Sequence, residues 1–240
     1  MAKKKSPAKS KKSSFFSKTL TFIRKAVIIY ICVTVAWVLL YRFINPPITW
    51  LMLQRGIERK FDGKEWKIEK HWLSFDELSN NLKLAAMAGE DARFLQHWGF
   101  DLQAIQKAYK KNEQGKKVRG GSTISQQTAK NVFLWPGRSW IRKGFEAYFT
   151  ALIEIFWSKK RIMEVYLNVI EMGDGIYGAD AATQTYYQKP ATSLSKGEAA
   201  MLVAILPLPL HWTPKHPTRY NYYKQRLILR NMRNMGKVKF

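Results

Sequence analysis

Three short stretches hold side chains whose types and spacing suit chemistry on a charged substrate. In the first, Glu90 and Asp91 follow Gly89 where an apolar, helix-like pattern runs out, with Phe94, His97 and Gly99 close behind. A carboxylate at a helix C-terminus faces the negative end of the dipole, which disfavours ionisation and lifts its pKa toward that of a useful general base. The alternative is a solvated acidic pair. In the second stretch, Gly120 and Gly121 precede Ser122, Thr123, Ser125, Gln126, Gln127 and Lys130. Glycines ahead of a serine cap bare the N–H groups of a helix N-terminus, where a phosphate sits well, and Gln127 and Lys130 face one way on a helix. No Gly-Lys-Ser/Thr follows at P-loop spacing, so a mononucleotide loop is excluded, and by itself the stretch is equally a well-capped helix. The third holds Arg138, Arg142, Lys143 and Glu146. Arg142 and Glu146 share a helical face, either as a surface ion pair or as a cationic clamp for a diphosphate, with Glu146 orienting the arginine or holding a divalent cation.

The elements that must position these groups read as helical. Ser74 and Glu77 have the spacing of a capping box ahead of Leu78, Leu82, Ala85 and Ala86, with Gly89 as a natural stop. Asp101 is placed to cap a helix carrying Leu102, Ile105, Ala108 and Tyr109. Periodicity predicts further helices at 122–131, 140–156, 161–171 and, behind the Ser195/Glu198 box, 199–206. No alternating stretch is long enough to predict a substantial strand. Trp135, Trp140, Phe156 and Trp157 read as core rather than lipid contacts, and the basic stretch 219–239 as a solvated or headgroup-facing helix.

Charge and hydropathy set the location. Among 240 residues, 41 Lys+Arg face 17 Asp+Glu, a net +24 that calls for a polyanionic partner: nucleic acid, anionic lipid or a pyrophosphate. Cys32 is the single cysteine, which excludes an intrachain disulfide and a cysteine metal cluster. Residues 26–41 carry no charge, and Phe43 and Ile44 extend the run past Arg42. That is close to the roughly 17 to 20 residues needed to cross hydrocarbon. Nine cations and no acid occupy the first 25 residues, and no small-x-small cleavage site follows the apolar core. An uncleaved anchor with a cytoplasmic N-terminus is the expectation. Asn45, Pro46 and Pro47 end it. The chain then divides into a basic cytoplasmic tail without fixed structure (1–25), a transmembrane anchor (26–44), a linker and domain entry (45–72) and one domain (73–240).

Taken together and in order, the blocks resemble a known family. Glu90 to Gly99 is similar to the Glu-Asp-x-x-Phe-x-x-His-x-Gly signature of the family 51 glycosyltransferases, the peptidoglycan polymerases. The Gly120–Asn131 stretch resembles the second signature, Arg142 to Glu146 the third, Arg161 to Asn168 the fourth, and Gly178 to Ala182 with Tyr186 and Tyr187 the fifth. The resemblance is to the monofunctional type, and it implies a mainly α, lysozyme-like, two-lobed helical domain behind one transmembrane helix, with an apolar patch dipping into the bilayer. It also implies an inverting hexosyltransferase that polymerises lipid II into β-1,4-linked glycan and releases undecaprenyl pyrophosphate. Carried over, Glu90 is the general base and Glu146 the second essential glutamate. Lys130, Arg138 and Arg142 neutralise the pyrophosphate, while Ser122, Thr123, Gln126 and Gln127 line the sugar-phosphate path. Asp91, Phe94, His97, Lys143 and Asn168 are supporting residues, with Tyr166 and Asn168 packing and hydrogen-bonding the cleft wall. No organic cofactor is implied; Mg2+ or Mn2+ at Glu146 is an open option. The implied partners are lipid II, the growing strand, membrane lipids and cell-wall synthesis or division proteins, with no nucleic acid, and the implied site is the bacterial inner membrane with a periplasmic domain. Two other classes compete: a membrane-anchored lytic glycosidase, which has no use for the cations, and a non-enzymatic polyanion-binding membrane protein, which has none for Glu90, Gln127 and Glu146.

Overall fold

The computed structural model describes residues 11–106, 121–137, 139–236 and 238–240. They form two units, residues 1–43 and 44–240. In the first, helix α1 (Lys11–Phe43) runs unbroken and carries a stretch, Lys18–Phe43, long and apolar enough to cross a membrane. Its helix reaches back to Lys11, into the tail expected to lack structure, because nothing between Lys11 and Ala26 breaks a helix: neither Gly nor Pro occurs there.

The second unit is mainly α, with a small sheet. What looked like linker is structured: α2 (Trp50–Phe61) is capped by the Thr49 hydroxyl, which accepts from the Met52 amide at 3.3 Å, and β1 (Glu69–Lys70) follows. The entry segment is pinned to the domain, with Arg161 donating to the Ile44 carbonyl and to Asn45 Oδ1, each at 2.9 Å. Helix α3 (Asn80–Glu90) starts later than the Ser74/Glu77 pattern suggests. Glu77 Oε2 does accept from the Ser74 amide at 2.8 Å, but this closes a turn, and the helix begins only after Ser79. It also continues through Gly89, whose missing side chain admits Val203: a Cβ would lie 2.6 Å from the valine Cγ1.

Helices α4 (Ile124–Phe133), α5 (Trp140–Phe156) and α6 (Lys159–Val169) pack together, α4 contacting both others. Their shared core includes Phe133 and Phe149, stacked with centroids 4.8 Å apart, and Trp157 beside them. Strands β2 (Glu171–Gly173) and β3 (Ile176–Tyr177) complete a sheet of order β1-β3-β2, in which β1 runs parallel and β2 antiparallel to β3. Arg55 of α2 donates to the buried Glu171 at 3.0 Å, which holds α2 to this sheet. Helix α7 (Ala179–Tyr187) follows, then α8 (Lys196–Ile205) behind its Ser195/Glu198 capping box, and α9 (Arg219–Met235). Beyond its first turn of Lys196, Gly197 and Glu198, helix α8 is apolar all round and buried between α3 and α9. The basic C-terminal stretch is a helix that packs Asn221, Ile228 and Met232 inward and leaves much of its charged face exposed, in keeping with the solvated face expected of it.

Gly178 explains why the fifth block begins with glycine. Its φ of +81° is in the region L side chains avoid, and an added Cβ would lie 2.6 Å from the Asn168 carbonyl oxygen. Asn168 meanwhile accepts from the Leu73 amide at 2.9 Å and donates to the Leu73 carbonyl at 2.8 Å, tying the domain entry to α6. Gly178→Ala is expected to destabilise the domain by about 1 to 3 kcal/mol, read as a lowered melting temperature in detergent; an unchanged melt would mean that the backbone there relaxes freely.

Candidate active site

The end of α3 and the start of α4 are joined by one carboxylate. Asp91, the residue closing α3, accepts from the Ile124 amide at 3.1 Å and from His97 Nε2 at 3.0 Å. The first free N–H of α4 is thus already bonded to an anion, the arrangement a helix N-terminus favours. Thr123 and Gln126 are spent in the same way: they form a reciprocal capping box, and Thr123 Oγ1 also donates to the Gly99 carbonyl at 2.6 Å. Both are buried. The expected phosphate site at this N-terminus, with Thr123 and Gln126 facing substrate, is therefore corrected: their hydrogen-bonding capacity holds the loop. Thr123 is the cap, not Ser122, which is half-buried beside it.

The loop between Glu90 and Gly99 is fixed from below. Phe94 is fully buried. Lys159 donates to the His97 carbonyl and to buried Glu154, each at 2.7 Å, and Glu154 also accepts from Ser125. Gly99, with φ of +79°, lies so close to α5 that a Cβ would be 2.6 Å from Thr150 Cγ2. Asp101 caps the turn after it, accepting from the Ala104 amide at 2.9 Å and from Arg93 at 3.3 Å. Asp91, His97 and Asp101 offer ligand atoms within 4.8 Å of one another, but these bonds already use both carboxylates. Ala108 and Tyr109 lie outside the described residues.

On that support stands Glu90, the last residue of α3, which accepts from Gln127 Nε2 at 2.9 Å. Burial pushes its carboxyl pKa up; the Gln127 bond and the charges of Lys224 and Lys130 oppose this, and Asp91 adds to the rise. The direction matches the sequence argument, though the leading cause is desolvation. Tyr166 is fully buried nearby, its hydroxyl without a partner among the described residues and its pKa raised by burial and by the Glu90 and Asp91 charges.

A cationic group lies alongside. Lys130 is influenced by Glu146, Arg142, Lys143 and Glu90, with burial lowering its pKa most. Glu146, only 4% exposed, is bonded by Lys143 at 2.5 Å. The expected Arg142–Glu146 pair is corrected: the shorter lysine, three residues before Glu146, takes the carboxylate and leaves Arg142 Nε buried without a partner among the described residues. Glu146 thus offers one carboxylate, already bonded by Lys143 and flanked by Lys130 and Arg142; a divalent cation there would take its remaining oxygens from water and a substrate phosphate. Arg138 lies outside the described residues. Trp140 is 92% exposed, and Ile141 and Trp135 are exposed too, whereas Trp157 is buried; the core reading fits only the last.

Lys224 was missed in the sequence. It lies on α9, a helix read only as basic, and reaches the site because Asn231 of the same helix donates to the Ala88 carbonyl of α3 at 3.0 Å.

Residues 59–233 match the profile of the Transglycosylase family. The chain is 47% identical over 214 residues to a biosynthetic peptidoglycan transglycosylase of Pseudomonas syringae pv. tomato, covering 89% of this chain and 91% of that one. It is 56% identical over 183 residues to the protein so named in Caulobacter vibrioides, covering 76% and 77%. A third, from Pseudomonas fluorescens strain SBW25, is 49% identical over 203 residues, covering 85% of each. With residues 59–233 matching this family and each of these relatives covered over more than two thirds of its length, the chain belongs to the transglycosylase family.

Proposed function

We propose that this peptidoglycan glycosyltransferase polymerises lipid II, as an inverting enzyme anchored in the bacterial inner membrane by α1, with its N-terminus cytoplasmic and residues 44–240 in the periplasm. Glu90 takes the proton from the C4 hydroxyl of the acceptor sugar. The oxygen attacks C1 of the donor strand from the face opposite its pyrophosphate, the C1–O bond breaks, and undecaprenyl pyrophosphate departs as the β-1,4 link forms. Lys130 and Arg142, with Arg138 from the same block, stabilise the charge that develops on the leaving group.

The observation that carries this reading is the company each carboxylate keeps. Glu90 is desolvated beside Gln127, a setting for a base near neutral pH, whereas Glu146 is engaged by Lys143 within a cationic cluster and is not placed to protonate a leaving group. A glycosidase needs that second acid; a sugar pyrophosphate needs cations instead. The exposed Trp140 and Ile141, at the start of the helix that carries Arg142, suit a patch that dips into the bilayer and brings the cations to headgroup depth. Cell-wall synthesis and division proteins are the partners this role would meet.

Labelled lipid II, followed with the purified full chain, tests the assignment. Glu90→Gln should lower the polymerisation rate by about two to four orders of magnitude. Arg142→Ala and Lys130→Ala should each lower it by about 10²–10³. Full activity of the Glu90 variant would sink the base assignment.

The rate should fall as pH drops through the raised pKa of Glu90, so its acid limb should lie above the ordinary carboxylate range. Because the Gln127 bond lowers that pKa, Gln127→Met should move the limb to higher pH; a limb that stays in place would detach Gln127 from the base. A carboxyl whose folded pKa is raised binds more protons folded than unfolded, so its cost to stability is absent below the unfolded pKa and full above the folded one. Glu90→Gln should therefore melt at or above wild type at neutral pH, with the gap closing as pH falls toward ordinary carboxylate values.

A further inference from the structure

A cavity of about 910 Å³ opens away from the reaction site, between the first half of α3 and the end of α9. Its lining includes five cations, Lys83, Lys160, Lys196, Arg233 and Lys239, and no Asp or Glu. The rest of the wall is largely apolar, with Phe75, Leu84, Met232 and Phe240 among it. None of Glu90, Gln127, Lys130, Arg142 or Glu146 contributes.

The cations are unevenly compensated. Lys83 is only 5% exposed, and its ammonium donates to the Phe75 carbonyl at 3.0 Å while lying 4.2 Å from the centre of the Phe75 ring. Lys160 sits 5.6 Å from the same ring. Two positive charges therefore lie against one aromatic ring. Burial lowers the Lys83 pKa most, and the repulsion of Lys160 adds to it against the attraction of Asp76. A desolvated ammonium with this surplus of like charge around it is stabilised by an anion, and the apolar wall favours an anion that carries hydrocarbon.

We propose that this cavity binds the phosphate headgroup of an anionic phospholipid, with Lys83, Lys160 and Arg233 around the phosphate and the upper acyl chain against Phe75, Leu84 and Met232. On the proposed function, a membrane-anchored domain meets such lipids at high local concentration, and basic pockets near a bilayer bind anionic headgroups. The occupant would lie one ring from the catalytic loop: Phe240 meets Phe75 at 5.0 Å and Phe94 at 6.4 Å between centroids, and the Phe94 amide donates to the Asp91 carbonyl at 3.1 Å. The sugar chemistry assigned above does not enter, so binding and polymerisation can fail separately.

The test is calorimetric titration of the full chain, in an uncharged detergent, with dihexanoyl-phosphatidylglycerol, dihexanoyl-phosphatidylcholine and inorganic phosphate. Wild type should bind the phosphatidylglycerol saturably at one site, and the double variant Lys160→Glu/Arg233→Glu should bind it at least tenfold more weakly. Both substituted side chains are exposed, so an unchanged melting temperature will report an intact fold. Equal affinity for phosphatidylcholine, or equal affinity of the variant, would overturn the proposal by placing the lipid elsewhere. Inorganic phosphate bound as tightly as phosphatidylglycerol would overturn it in favour of a free-anion site. Lys196→Glu gives an independent second variant, expected to weaken phosphatidylglycerol binding without altering the response to phosphatidylcholine.

Discussion

Asp91 is the constraint on which the site depends. One carboxylate receives the first amide of α4 and the ring of His97, and so fixes where α3 stops, where α4 starts and how the loop between them turns. Each bond is charge-assisted and buried, so each is worth more than a neutral one and its loss would leave a desolvated charge unpaired. Glu90 precedes Asp91 and Gln127 lies one turn into α4, so their meeting at 2.9 Å is a product of this junction. Glu90 is positioned by backbone geometry that its own side chain takes no part in making.

That logic also separates what was legible in the sequence from what was not. Helix α5 was readable to its ends because Trp140–Phe156 follows a Ser139 cap and runs in regular apolar period. The junction of Glu90 with the Gln127 block was readable only through resemblance, since no local rule says that a carboxylate will bond an amide across 37 residues. Local rules erred where two local contacts compete for the same group and the sequence does not rank them. The Ser74/Glu77 box closes a turn, Thr123 and Gln126 turn inward, and Lys143 takes Glu146 from Arg142. Helix α2 escaped notice because its stability comes from Glu171 and Asp174, far along the chain, which bond Arg55 and Arg59. Lys224 had no signal at all, being one cation among many on a basic helix.

The glycines of the signature blocks have a common physical meaning that motif matching leaves out. Gly99 and Gly178 both combine a positive φ with a contact that a methyl group would violate, against Thr150 and against the Asn168 carbonyl. Each marks a place where a loop is pressed onto a helix that carries site or support residues. Gly144, by contrast, has open space where its side chain would be and an ordinary helical conformation, so its presence in the third block has no packing reason in this structure.

The position of α9 has a consequence for the order in which the enzyme becomes competent. It follows every other described helix in the chain, yet it packs on α3, and its Lys224 contributes to the field at Glu90. During synthesis α1 and the Glu90 loop emerge first, and the charge environment of Glu90 is completed only when this late helix docks. A partly made chain therefore holds α1 before it holds every group around Glu90, and the bond from Asn231 to the Ala88 carbonyl forms only once α9 is in place.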